Sequence, residues 1–278
     1  MENVVSIKWL QEHLHDPGLI ILDATIPDTI TKKQPIYPNL KIKGARFFDI
    51  KGMFSDADAT FPNTIPSEKQ FTIAAQEIGI QKDSIIVVYD ALGIYSSPRA
   101  WWLFKVMGHK QVAVLDGGLN AYITAGLPTK TLDAKAIYDK GNFKASLQPK
   151  WIVSKEEVLQ NIKTKEALVI DARSADRFSG QQPEPRPLVR SGHIPYSKNC
   201  PYSTVLNKGH FTSIQEIQTI VKNLKIDTTT PLIFSCGSGI TACILLLAFR
   251  LVNPNPKAIY DGSWTEWGSI SSLPIAVL

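Results

Sequence analysis

Cysteine is scarce in this chain. Three are spread over 278 residues with no C-x-x-C pair, which excludes a disulfide framework and a thiolate zinc site. Charge of one sign is also lacking. Thirty Lys and Arg against 25 Asp and Glu leave a net +5 with no basic run, so no nucleic-acid face is expected. Long apolar stretches are missing too. The longest, Ala242 to Phe249, is too short to span a bilayer. The opening MENVVSIKWLQEHL has neither the basic nor the apolar region of a signal peptide. No membrane association and a reducing cytoplasm are therefore expected. What is present is ordinary globular composition, 44% hydrophobic and 20% charged, in a chain long enough for about two domains. The slight positive balance suits small anionic substrates.

The chain is written twice. Val5 and Asp23 of the first half return as Val153 and Asp171, both 148 residues on. IIVVYD ends at Asp90 and PLIFSC at Cys236, an offset of 146. VLDGGLNAY and IYDGSWTEW place Asp116 and Asp261 at an offset of 145. In each copy short apolar runs alternate with helical patterns. LIILD, SIIVVY and VAVLD read as strands in the first copy, ALVID, PLIF and KAIY in the second. Ser154 with Glu157 forms a capping box, and SIQEIQTIVKNL and ACILLLAFRLV read as helices. This predicts an α/β protein of two tandem domains, each a mostly parallel sheet with helices on both faces. The first spans 1–135, a linker 136–150, and the second 151–278. Pro128, Lys130, Lys135, Lys140 and Gly141 interrupt the pattern around that seam.

The chemistry concentrates in PLIFSCGSGITACILLLAFR. A strand is expected to end at Ser235, and a helix to begin after Cys236, Gly237, Ser238, Gly239, Ile240 and Thr241. Two glycines let the backbone curl with its N–H groups inward, and the helix behind adds the positive end of its dipole. A sulfur in that ring is favoured as thiolate and suited to nucleophilic attack. Three rival readings compete. One is a plain buried cysteine. Another is a dinucleotide fingerprint, since Gly237 to Ala242 fits G-x-G-x-x-[GA], but too little chain follows for the necessary fold. The third is a cysteine phosphatase, which needs an Arg six residues after the nucleophile; Ala242 stands there. In the first copy the cysteine position is Asp90, so that half reads as inactive scaffold. Arg186 and Arg190 lie in an insertion, GQQPEPRPLVRSGHIP, that the first copy lacks. Their paired donors could hold a carboxylate, or both could be solvated surface charges. His193 reads as a structural hydrogen-bonder, Arg173 as an ion-pair partner of Asp171, and Cys200 and Cys243 as packing residues.

DARSADRF-G at 171–180, PEPR ending at Arg186, GHIP at 192–195, CGSGITA at 236–242 and YDG at 260–262 together resemble the catalytic half of a two-domain rhodanese-like sulfurtransferase. VVYDALGIYSSPRAWW and VLDGG resemble its inactive copy. The likeness covers almost the whole chain, and the CGSGITA loop is similar to that of the 3-mercaptopyruvate enzymes of the family rather than to the basic C-R-K-G loop of the thiosulfate enzymes. The resemblance implies that Cys236 takes sulfur from 3-mercaptopyruvate as a persulfide and passes it to a thiol, such as thioredoxin or a small thiol, or to cyanide. The amides of Gly237, Ser238, Gly239, Ile240 and Thr241 would stabilise the persulfide. Arg186 would bind the donor's carboxylate with Arg190 as helper. No metal or organic cofactor is implied. Thiosulfate as donor, and a carrier that is loaded but turns over little, stay open as alternatives. The family's His and Asp of a first-domain relay are here Asn63, in FPNTIP, and Lys51. Tyr196 stands where the family's GHIP turn has glycine.

Overall fold

The computed structural model describes residues 1–28, 30–132 and 136–278; Lys135, at the expected boundary, lies outside them. The described residues fall into two compact units. The first gathers Met1–Asp58, Ile65–Gln148 and Lys208–Phe211, the second Ala59–Thr64, Pro149–Asn207 and Thr212–Leu278. Two short segments thus belong with the half opposite to their place in the chain.

The first unit is built on five parallel strands. In chain order its strands are β1 (Val4–Val5), β2 (Leu19–Asp23), β3 (Leu40–Ile42), β4 (Arg46–Phe47), β5 (Ile85–Tyr89), β6 (Val112–Leu115) and β7 (Thr129–Thr131). The sheet runs β1-β6-β5-β2-β4, and β3 pairs with β7 antiparallel beside it. Helices α1 (Ile7–His13), α2 (Glu68–Glu77), α3 (Ser97–Val106) and α4 (Gly118–Thr124) connect the strands. Ser6 and Ser67 open α1 and α2 by accepting from the third amide of each helix, which satisfies donors that would otherwise be orphaned. On α3, Trp101, Trp102, Leu103 and Phe104 are all fully buried, each such side chain contributing about 1.5–3 kcal/mol.

The second unit repeats the plan. Its strands are β8 (Ile152–Val153), β9 (Leu168–Asp171), β10 (Lys198–Asn199), β11 (Leu206–Asn207), β12 (His210–Phe211, counted with the first unit), β13 (Leu232–Ser235) and β14 (Lys257–Tyr260). The sheet order β10-β9-β13-β14-β8 is the first sheet's order over again, and every pairing is parallel. Helices α5 (Lys155–Thr164), α6 (Ala175–Ser179), α7 (Ile214–Asn223), α8 (Ala242–Arg250) and α9 (Ser263–Ser269) complete it. The capping box at Ser154 and Glu157 is present, and Ser213 with Glu216 makes a second. The apolar run Ala242–Phe249 is buried at every position, as a helix apolar all round must be. Among the described residues no helix is long and apolar enough to cross a membrane.

The stretch 136–150, expected as a linker, is in its second part a strap. The amides of Gly141, Phe143, Ser146 and Gln148 donate to Gln76, Ile80, Met107 and Val106 of the first unit, and Phe143 is buried. Gly141 is required there, because a Cβ would fall 2.0 Å from the Ile80 carbonyl oxygen.

Candidate active site

β13 and β9 end side by side, Ser235 opposite Asp171, and Cys236 follows at the carboxyl edge where such sheets build their sites. The Cys236 side chain is buried, 1% exposed. Its own N–H donates to Ser263 Oγ at 3.2 Å, and that oxygen lies 4.0 Å from Cys236 Sγ. The Cys236 carbonyl accepts from Trp264 N at 2.9 Å. The Gly237 carbonyl accepts from Thr265 N at 2.9 Å and Thr265 Oγ1 at 2.5 Å. In a trans peptide the C=O and the next N–H point opposite ways. With these two carbonyls held by the start of α9, the N–H groups of Gly237 and Ser238 face away from it. Among the described residues, no protein acceptor takes the N–H of Gly237, Ser238, Ile240 or Thr241. Gly239 turns the loop at φ +79°, a conformation that costs glycine little. α8 then starts with Thr241 at its cap and its positive end toward the loop.

Asn63 enters from the FPNTIP segment. Its Nδ2 donates to Ser238 O at 3.0 Å and to Ser238 Oγ at 3.1 Å. Because that hydroxyl oxygen accepts, its own proton remains free to donate. Asn63 holds φ +61°, one of the non-glycine residues that tolerates the left-handed region.

The first unit carries the same loop with a side-chain carboxyl group already in it. Asp90 is fully buried. Its Oδ1 accepts from Leu92 N at 3.0 Å, and its Oδ2 from Tyr95 N, Ser96 N and Ser97 N at 2.9, 3.0 and 2.9 Å and from Ser97 Oγ at 2.7 Å. Burial pushes its carboxyl up, and these donors work against that rise. The Asp90 carbonyl accepts from Leu119 N, the counterpart of the Cys236 to Trp264 bond. Gly118 at φ +56° corresponds to Ser263 at φ +52°. The second unit thus accepts a strained serine where the first has glycine, and gains a hydroxyl beside the sulfur.

Behind the Cys236 loop lies a buried ion network. Arg173 Nη2 sits 2.6 Å from Asp171, and its Nη1 2.8 Å from Glu184. Arg177 Nη2 meets Glu184 at 2.6 Å. Burial opposes the charge on Arg173, but Asp171 and Glu184 outweigh it and hold the guanidinium above its ordinary range. The Trp264 ring lies beneath it, 4.4 Å away. A Cβ on Gly237 would come 3.1 Å from Arg177 Nη2, so glycine there lets a cation approach the loop. Arg177 and Glu184 fall within the DARSADRF-G and PEPR motifs, but nothing local in the sequence pairs them with each other. Ser263 has a sequence signal, a serine where the first copy has glycine.

The expected substrate residues divide. Arg186 is half-buried, and among the described residues its guanidinium has no protein partner. Arg190, expected as its helper, is committed elsewhere: Nε donates to Gly268 O at 3.1 Å, and Nη2 to Ile270 O at 2.6 Å and Leu273 O at 3.0 Å. It caps the carbonyls at the end of α9 and has few donors left for a ligand. His193 is structural as expected, with Nδ1 2.8 Å from Phe178 O and its ring stacked on Phe178. Cys200 and Cys243 are buried thiols, and Cys243 Sγ donates to Gly239 O at 3.3 Å.

Two open α/β sheets of one order, each with a cradle loop after its central strand, define a duplicated domain. Both copies match the Rhodanese-like domain, over residues 6–125 and 154–270, and the chain belongs to that family. It is 36% identical over 276 residues to 3-mercaptopyruvate sulfurtransferase of Escherichia coli K12, covering 98% of this chain and 96% of that one. It is also 36% identical over 273 residues to thiosulfate sulfurtransferase of Cricetulus griseus, covering 95% and 91%. The crystal structure of a 3-mercaptopyruvate sulfotransferase from Escherichia coli superposes with a TM-score of 0.83 at 32% identity, over 95% of this chain and 99% of that one. The expected fold and family are borne out.

Proposed function

We propose that this chain is a sulfurtransferase in which Cys236 carries sulfur as a persulfide and 3-mercaptopyruvate is the donor. The observation that carries the reading is the loop after buried Cys236, in which four amides have no acceptor among the described residues, beside a twin loop whose amides hold a carboxyl group. The Cys236 thiolate attacks the donor's sulfur. The carbon–sulfur bond breaks with its electron pair going to carbon as the pyruvate enolate, and the proton given up by the donor's thiol ends on that carbon. Cys236 is left as an ionised persulfide, and its outer sulfur then passes to an acceptor thiolate, small or on a protein such as thioredoxin, regenerating the Cys236 thiolate. Loop amides from Gly237 to Thr241 and the Ser238 and Thr241 hydroxyls stabilise the terminal sulfur. Arg186 supplies the paired donors for the carboxylate; Arg190 is left out of this role. Asn63 positions Ser238 and moves no proton near neutral pH. The first unit, with Asp90 in its cradle, serves as scaffold, and the cytoplasm is the compartment consistent with a free catalytic thiol. Nucleic acid has no part in the reading.

Thiosulfate is the second donor to consider, because Asn63 stands where the 3-mercaptopyruvate enzymes of the resemblance have His, and a relative at equal identity bears the thiosulfate name. Donor profiling at fixed cyanide decides between them. Pyruvate and thiocyanate formed in equal, continuing amounts support the proposal. A much higher kcat/KM with thiosulfate replaces the donor, and stoichiometric loading without turnover makes the chain a carrier.

A further inference from the structure

The first unit encloses a cavity of about 570 Å³ that the sulfur chemistry does not use. It opens beyond the carboxyl ends of three neighbouring strands: Asp23 closes β2, Phe47 closes β4, and Ala91 follows β5. That is where open α/β sheets take ligands, and the size lies in the range of small-molecule pockets. Tyr37, Pro38, Leu40, Phe47 and Tyr138 give it an apolar and aromatic wall. Phe47 and Leu132 remain 56% and 55% exposed at its edge, an apolar rim that the described residues leave uncovered.

Asp23 is one of the polar groups that line it. It is 7% exposed. One carboxylate oxygen accepts from Thr25 N at 3.0 Å and from Thr25 Oγ1, the other from Tyr89 Oη at 3.1 Å. Among the described residues no cation lies within ion-pairing distance of it, and burial pushes its carboxyl up. Lys41 also lines the cavity, while Asp49 and Glu77 add two further acids. A buried carboxylate without a counter-charge is costly.

The duplicate shows what the fold does with that carboxylate when it supplies the cation itself. Asp171, the equivalent residue, is clasped by the Arg173 guanidinium at 2.6 Å, which lies over the Trp264 ring. The position of Arg173 is Thr25 in the first copy and that of Trp264 is Leu119. The internal guanidinium and its aromatic floor are both absent there, and a cavity with its own aromatic wall stands beside the carboxylate instead.

We propose that this cavity is a binding site for a small organic cation, an amidine, guanidine or amine on a flat apolar body, with the cationic group at Asp23 and the body against Tyr37, Leu40 and Phe47. The site is independent of Cys236 and of the function proposed above. Three isosteric probes test it on the full chain: benzamidine, neutral benzamide and anionic benzoate, followed by amide chemical shifts. Benzamidine is expected to move the amides of Thr25, Leu40 and Ala91 and to bind at least about tenfold tighter than benzamide, with benzoate not binding, since a charged hydrogen bond is stronger than a neutral one. Asp23→Asn should remove that preference, and Cys236→Ser should leave it intact. Equal binding of benzamide, or shifts outside the first unit, overturns the proposal. Should Asp23→Asn not fold, the order of affinities among the three probes on the unmodified chain still supports or overturns it.

Discussion

The loops after β5 and β13 are the same device in two states. In the first, the chain supplies a carboxylate and spends its amides on Asp90. In the second it supplies a sulfur and leaves four amides without an acceptor among the described residues. The backbone around them agrees to the level of single bonds, Asp90 O to Leu119 N and Cys236 O to Trp264 N. What separates stability from chemistry here is therefore one side chain at the end of one strand. A cradle filled from within is structural; a cradle left for an incoming anion is available for catalysis.

That contrast can be broken by exchange of roles. Cys236→Ser should lower turnover at least about a thousandfold with either donor while changing the unfolding midpoint little; retained turnover in steady-state assays removes Cys236 as nucleophile. Asp90→Ala should do the reverse. It strands buried amides and should cost about 3 kcal/mol in urea unfolding, with the turnover of the folded fraction unchanged. A loss of activity without a loss of stability would reassign the first loop to chemistry.

The first unit should also be the acid-labile one. Burial beside Phe104 and Phe143 pushes the His109 imidazole down to about 4, from 6.5 in the unfolded chain. The unfolded state takes the proton first as pH falls. Stability is therefore full above about pH 6.5 and decreases toward pH 4, by about 3 kcal/mol in all. Urea melts across that range should show the slope, and His109→Phe should flatten it; an unchanged slope would locate the titration elsewhere.

Smaller effects sharpen the comparison. Arg186→Ala should cost about 1–3 kcal/mol in kcat/KM for a carboxylate donor and less for thiosulfate. Equal losses would mean that Arg186 only shapes its loop. Ser263→Gly restores the residue of the first copy. It relieves a left-handed φ but removes the acceptor of the Cys236 N–H, so stability should shift by no more than about 1 kcal/mol and turnover should fall a few fold. Ser263→Ala, which keeps the strain, should lose both. Equal stability of the two variants would mean that the strain at this position is negligible.

Much of this is legible from spacing. The strands LIILD, IIVVY, LVID and LIFS are apolar runs buried on both faces, and Gly237 and Gly239 mark the turn. The sheet edges are not, because β1, β4, β8 and β10 are two residues long and no periodicity can be read from two residues. The role of Arg190 is hidden for a related reason. A guanidinium on a loop has the same sequence signature whether its donors reach a ligand or the carbonyls of Gly268, Ile270 and Leu273. Only tertiary placement separates the two. Asn63 is legible as a departure from its family, but its bond to Ser238 spans 175 residues of chain and no local pattern contains it.

The tethered carboxylate also sets a number. The duplicated domain gives two cradles, yet one is permanently occupied by its own residue. Of the two, one can exchange its anion with solution, so donors and small inhibitory anions alike should saturate this loop with a stoichiometry of one per chain, and the symmetry of the fold is not a symmetry of binding.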